Sequence, residues 1–482
     1  MRSFTCLPLV AATIAATAVH AQTTADLPQR PLEPCTIDRV PGEVLCGTYT
    51  VFEDRAARAG RTIDLRVVVL RATGEERLLD PVVPLAGGPG ESATAGARAH
   101  AQRFAQERRE RDILLVDQRG AGGSNPLTCA FQPPGGETSF FGSLFPLDHI
   151  RECRRRLSEH ADLSLYGTPL AADDLEDVRQ WLGYDRLNLY GGSYGTRIAQ
   201  VFMKRHPESV RTATLNALVP LGRNPYFYGA SSIDEGLEQL FSDCAADTTC
   251  ASAFPTFREQ FADLVARFDD GAVQTEVRLA DGSTPAVGFT RGDFAYAVRG
   301  VLYTAASNRL PLVVSQAYAS GDLGLFANYY KQRIGWVAEE GIGAGMHFSI
   351  LCSEDMAFND WDELLGVTEG TLMGPHLIRE YERACDNWVT YDVPASYHDP
   401  LRSDIPTLLL SGERDPITPP AYGEEVAKYL TNNLHVIQPN AGHGAGGPCV
   451  AKLRLELIQT GSVEGLDPSC IEPTSKPDFV VP

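Results

Sequence analysis

The chain has 482 residues, 43% of them hydrophobic and 22% charged, which is enough to bury a large core and does not match the composition of a disordered chain. Its formal net charge is −20 and it has no basic stripe, which argues against a nucleic-acid partner: a polyanion would be repelled, and no cationic face could release its counterions. One main domain carrying a sizeable insertion is expected.

Met1-Arg2-Ser3-Phe4 leads into the apolar run Leu7 to Val19, and Val19-His20-Ala21 offers small residues for cleavage, so residues 1–21 read as a signal peptide. The run is shorter than the ~20 apolar residues needed to cross a bilayer, and no later segment is long enough. An exported protein, periplasmic or extracellular and not held in a membrane after processing, is expected. Of the eleven cysteines, Cys6 lies in the leader, and the rest fall into five neighbouring couples. In an oxidising compartment these would form disulfides, with 35–46, 129–153, 244–250, 352–385 and 449–470 as the expected connectivity. There is no Cys-x-x-Cys pair or His-x-x-x-His spacing, so no metal site is expected.

Thr48–Phe52 and Ile63–Leu70 open the fold as strands, the second alternating Ile63, Leu65, Val67 and Val69 with polar neighbours, a pattern that predicts a half-exposed edge. Val82–Leu85, Ile113–Val116 and Leu187–Tyr190 are short apolar runs, as in strands buried on both faces of a parallel sheet. Between the last two, Leu175, Val178, Trp181 and Leu182 recur at helical spacing after an acidic first turn at Asp173 and Asp174. Arg211–Leu215 is a further strand. Residues 222–395 read as helices and loops, including a helix opened by Phe254-Pro255. Strands resume at Thr407–Leu410 and Leu434–Ile437, around a helix from Ala421 to Leu430. The predicted organisation is a core in two parts, 22–221 and 396–482, interrupted by a helical cap over 222–395, with a mostly parallel sheet flanked by helices.

Gly191-Gly192-Ser193-Tyr194-Gly195 follows the Leu187 strand and precedes a helix over Thr196–Arg205. Gly-x-Ser-x-Gly in that setting is a nucleophile elbow, a crowded strand-to-helix turn that holds the serine hydroxyl out at the carboxyl edge of an α/β-hydrolase sheet. A serine hydroxyl needs a base and a carboxylate that orients the base. Asp415 follows the Thr407 strand and His443 follows the Leu434 strand, giving the chain order serine, acid, histidine. Asp404 and Asp399 are the other acids near enough in sequence, and His435, His398, His376 and His347 the other histidines. Leu85-Ala86-Gly87-Gly88-Pro89-Gly90-Glu91 lets backbone approach the reacting carbonyl, so the amides of Gly88 and Tyr194 are the expected oxyanion donors. No Lys-Ser/Thr follows the glycines, which rules against a phosphate loop, and neither metal nor organic cofactor is called for.

With the glycine loop, Asp117-Gln118-Arg119-Gly120-Ala121-Gly122-Gly123-Ser124, the elbow and the Asp415 and His443 segments in order, the chain resembles the tripeptidyl-aminopeptidase-like α/β-hydrolases of the proline iminopeptidase group over roughly residues 35–470. Ala86 stands where these relatives commonly carry histidine before Gly-Gly-Pro-Gly. The resemblance implies an exopeptidase acting on free amino termini beneath a cap. Such specificity requires carboxylates that pair with the α-ammonium group. Glu354 and Asp355 in the cap, and Glu91 beside the glycine loop, are the expected ones. Asp117 and Arg119 are expected to brace their loop. The same machinery would serve a secreted carboxylesterase, so a peptide or a small acyl compound is the expected substrate. A non-catalytic binding protein on this fold would be expected to lose a triad member, and all three are present.

Overall fold

The apolar runs become the middle of a nine-stranded sheet in the computed structural model, which describes residues 27–131, 136–224, 229–339, 341–358 and 360–482. The leader expected at 1–21 lies outside the described residues. In chain order the strands are Glu33–Cys35 (β1), Val44–Phe52 (β2), Thr62–Leu70 (β3), Leu78–Leu85 (β4), Arg111–Val116 (β5), Leu187–Gly192 (β6), Val210–Asn216 (β7), Val273–Glu276 (β8), Ala286–Phe289 (β9), Thr407–Gly412 (β10) and Asn433–Gln438 (β11).

The sheet runs β1-β2-β3-β5-β4-β6-β7-β10-β11. β1, β2 and β3 pair antiparallel as far as β5, and every pairing from β5 to β11 is parallel. The chain passes from β5 on one side of β4 to β6 on the other, so the strand order reverses around β4. In such sheets ligands bind in the crevice outside the carboxyl ends beside the reversal. β3 is not the edge its alternation predicted: β2 and β1 lie outside it, and only its first residues keep an exposed face, while Val67–Leu70 are buried on both sides.

Helices cover both faces. Leu175 and Val178 of helix Thr168–Leu182 and Ile198 and Phe202 of helix Tyr194–Arg205 pack on one side. Phe104, Leu453, Leu457 and Ile458 lie on the other. Helix Thr168–Leu182 starts a turn earlier than the acidic pair implied, with Pro169 in its first turn, and it stops at Gly183 in the left-handed region (φ 72°). Asp174 is therefore not a helix-start acid. It accepts two hydrogen bonds from the Arg119 guanidinium (2.6 and 2.8 Å), which also donates to the carbonyls of Glu53 (3.0 Å) and Leu165 (2.8 Å). Asp117 accepts from Ser92, Thr94 and the Gly123 amide, fixing the turn after β5.

Between β7 and β10 the chain is mainly helical, and Phe261, Phe294 and Phe326 form an aromatic centre with ring centroids 5.7 and 4.6 Å apart. Two details differ from the helix-and-loop reading. β8 and β9 form an antiparallel hairpin, too short and too weakly alternating to stand out in the sequence. The apolar cluster of this region also takes in Leu127, Phe145, Ile150 and Leu157, which precede β6, so its packing draws on chain outside 222–395. Disulfides join Cys35–Cys46, Cys129–Cys153, Cys244–Cys250, Cys352–Cys385 and Cys449–Cys470. Among the described residues, no helix is long and apolar enough to cross a membrane.

Candidate active site

Five loops leave the carboxyl ends of β4, β6, β7, β10 and β11 and converge on one cavity of about 1060 Å³, lined among others by Gly87, Gly88, Ser193, Tyr194 and His443. Ser193 follows Gly192 of β6 with φ 55° and ψ −126°, a backbone region that costs a non-glycine residue roughly 1–3 kcal/mol. The surroundings enforce it. The Ser193 amide donates to the Asn216 carbonyl on β7 (3.0 Å), and its own carbonyl accepts from the amide (2.8 Å) and the hydroxyl (2.7 Å) of Thr196. A side chain at Gly191 would strike the backbone of Gly195, and one at Gly195 would strike the carbonyl of Leu85. The elbow therefore tolerates glycine alone at these two positions.

Asp415 sits three residues beyond β10. One carboxylate oxygen accepts from the amides of Ile417 (2.9 Å) and Thr418 (3.0 Å), and the other accepts from the Thr418 hydroxyl (2.5 Å). That second oxygen lies 2.8 Å from Nδ1 of His443, and the Asp415 side chain is 0% exposed. A buried carboxylate held by three other donors cannot swing, so it presents a fixed acceptor to Nδ1–H and turns Nε2 of the ring away from itself. His443 is 18% exposed and its ring lies 5.1 Å from that of Tyr303, on the cap side of the cavity.

The loop carrying His443 is clamped from below. The Asn216 side chain accepts from the Ala445 amide (2.8 Å) and donates to the Ala445 carbonyl (2.9 Å). Asn216→Ala leaves both backbone groups unpaired and frees the loop, so kcat is expected to fall about 10- to 100-fold, since an ångström of misplacement is enough for that. Denaturation should also show a stability loss of about 1–3 kcal/mol. Sequence reading did not single out Asn216, whose role depends on a pairing between distant loops. Thr418 was detectable in principle, because a threonine three residues after an aspartate in a loop is turn chemistry.

Tyr194 is the first residue of its helix, where backbone amides have no partner within the helix and remain free to donate. Its phenol is buried against the Thr168 hydroxyl (2.8 Å) and is raised well above the usual tyrosine range by that burial. Gly87 and Gly88 line the cavity beside Ser193; a Cβ on Gly87 would lie 3.5 Å from that of Ser193.

The acids expected to recognise an amino terminus separate. Glu91 is exposed and lines the cavity. Asp355 also lines it, 2.6 Å from the Arg197 guanidinium, and burial pushes its carboxyl up to about 6 against the pull of that arginine. Glu354 is not at the cavity. It is 0% exposed and accepts from the amide and hydroxyl of Thr168 (2.7 Å each) and from the phenols of Tyr391 and Tyr397. Four donors leave it no capacity for a substrate ammonium, and the Leu351–Asp355 turn aims adjacent side chains in different directions. Glu354→Gln would point an amide donor at a hydroxyl cluster, so about 1–3 kcal/mol of stability should be lost. KM for amino-terminally free peptides should stay within about threefold, whereas loss of an ammonium contact would raise it tenfold or more.

The other histidines and acids weighed as triad members from the sequence lie elsewhere. His435 contacts Ser411 (3.0 Å) at mid-strand, and His398 contacts the Leu221 carbonyl (2.9 Å). His347 is buried beside Trp336 and pushed down to about 4 by that burial. His376 packs in the cap, and neither Asp399 nor Asp404 lines the cavity. Among the described residues no group of three or more His, Cys, Asp or Glu is placed to hold a metal ion.

A family model described as alpha/beta hydrolase fold matches residues 80–446. The chain is 24% identical over 479 residues to the tripeptidyl aminopeptidase of Streptomyces coelicolor, covering 91% of this chain and 85% of that protein. It is 28% identical over 228 residues to the serine protease Hip1 of Mycobacterium tuberculosis, covering 44% of each. It is 30% identical over 190 residues to the proline iminopeptidase of Xylella fastidiosa, covering 39% of this chain and 46% of that one. The matched region thus spans under half the length of the last two relatives.

Proposed function

The chain belongs to the alpha/beta hydrolase fold family, and from that premise we propose that it is an exported serine aminopeptidase. Ser193 Oγ attacks the carbonyl of a peptide bond near a free amino terminus while Nε2 of His443 takes its proton. Asp415 holds the imidazole in the tautomer this requires and stabilises the imidazolium. The amides of Gly88 and Tyr194 stabilise the oxyanion, and His443 returns the proton to the departing amine. Water, activated by the same imidazole, then hydrolyses the acyl-enzyme. Asp355 and Glu91 are the proposed partners of the substrate ammonium.

The reading rests above all on the 2.8 Å contact between Asp415 and His443 at the wall of the cavity that also holds the strained Ser193. Peptidase-named relatives favour peptides over esters as substrates. Export is supported by the five disulfides, since such bonds persist in oxidising compartments. A panel of peptide amides with free and acetylated amino termini tests the proposal. Free peptides should be cleaved, and acetylation should lower kcat/KM by about 100-fold, through loss of the charge-assisted contacts to the substrate ammonium. Undiminished cleavage of acetylated peptides would remove the amino-terminus requirement.

A further inference from the structure

The protein is strongly acidic, yet the cap wall of the cavity carries two arginines near His443, alongside the exposed Glu339. Arg299 on helix Arg291–Leu302 and Arg333 on helix Gly324–Ile334 both line the cavity. Among the described residues neither guanidinium is paired with a carboxylate. Of the cavity arginines outside the cap, Arg197 is neutralised by Asp355 (2.6 Å) and Arg454 by Glu107 (2.7 Å), while Arg103 lies 5.5 Å over the ring of Tyr190. Aromatic faces hold the two cap cations. Arg333 lies 5.0 Å over the ring of Tyr303, and Arg299 lies 5.4 Å over that of Tyr296. The stem of Arg333 crosses the backbone at Gly300, where a Cβ would come within 2.8 Å of its Cγ, so the absence of a side chain on one helix seats the cation of the next. Tyr303 links this cation to the catalytic end of the cavity, its ring 5.1 Å from His443. Its phenol is raised by burial, by Asp415 and by Glu91, and is lowered by Arg333 and Arg299, so both cations reach it.

An arginine fixed by a π-face keeps its hydrogen-bond donors unspent, and a half-buried one is costly to leave without an anion. The side of the cavity matters as well. His443 hands its proton to the departing amine, so groups beside it on the cap face the leaving part of the substrate, whereas Asp355, against Arg197, is an acid proposed for the amino-terminal part.

We propose that Arg299 and Arg333 form an anion subsite for a carboxylate on the leaving portion of the peptide, within a few residues of the scissile bond, so that the preferred substrates are short peptides with a free carboxyl terminus or peptides acidic at that point. This builds on the aminopeptidase reading above and adds a charge requirement at the opposite end of the substrate.

The test uses amino-terminally free alanine peptides of three to six residues, each as carboxylate and as amide, together with amides carrying one aspartate at successive positions. The full-length mature protein is assayed and the cleaved bond is read by product mass. kcat/KM for carboxylates should exceed that for matched amides by about 10- to 100-fold, as a charge-assisted contact in a partly desolvated site allows. The aspartate series shows whether a terminal or a side-chain carboxylate is the source. Arg333→Gln and Arg299→Gln should each lower the ratio several-fold, Arg333→Lys should retain part of it, and raised salt should shrink it. A ratio near one in the unaltered protein, or an undiminished ratio in both Gln variants, overturns the subsite while Ser193-dependent cleavage of the amides leaves the aminopeptidase reading standing. If no peptide is cleaved, both fall.

Discussion

Ser193→Ala is expected to lower kcat on peptide amides by on the order of 10⁴- to 10⁶-fold while KM changes little. The hydroxyl is the atom that forms the acyl bond, and no other serine or threonine occupies the elbow, so the variant keeps only what binding and the oxyanion donors can do with water. Its fold should survive. The strained backbone of Ser193 is imposed by the Asn216 and Thr196 hydrogen bonds and by the glycines on either side, none of which uses the Ser193 hydroxyl. An unchanged denaturation midpoint alongside the lost rate separates chemistry from folding.

Asp415→Asn should cost about 10⁴-fold in kcat, and the reason is the tautomer of His443. The asparagine oxygen can still accept from the amides of Ile417 and Thr418, so its NH₂ group would take the place of the oxygen that now lies 2.8 Å from Nδ1. Two donors cannot face each other. The imidazole would settle with Nδ1 accepting and Nε2 protonated, and a protonated Nε2 cannot take the serine proton. Crystallography should then find the three side chains nearly unmoved. A kcat within tenfold of the unaltered protein would mean that Asp415 does not orient the base.

The parts of this site that were legible in the sequence share a property: each is announced by local chain chemistry. The elbow is five contiguous residues after an apolar run, and Asp415 and His443 each follow a strand recognisable by its own apolar content. The expected core strands are observed to within a few residues, because β4 to β7 are short, buried on both faces and bounded by glycine or charge. What stayed hidden depends on contacts between distant segments. Asn216 is one polar residue at a strand end until β11 brings Ala445 against it. Glu354 and Asp355 are equivalent in sequence, and only the turn that carries them decides that one meets Thr168, Tyr391 and Tyr397 while the other meets Arg197 and the cavity. β3 failed as an edge for the same reason. Its alternation is real over its first residues, but the two further strands outside it include β1, which is three residues long and has no periodicity to detect. The cap was the hardest to read, since its core combines residues on both sides of β6 and β7 in sequence.

The central claim, that Ser193 is the nucleophile oriented through His443 and Asp415, is tested most directly by titration with a fluorophosphonate followed by intact-mass and peptide mapping. One adduct per chain on the peptide containing Ser193, with peptide hydrolysis falling in proportion to the modified fraction and no adduct on Ser193→Ala, is the predicted result. Labelling at another residue, or full hydrolysis by protein whose Ser193 is completely modified, would contradict it.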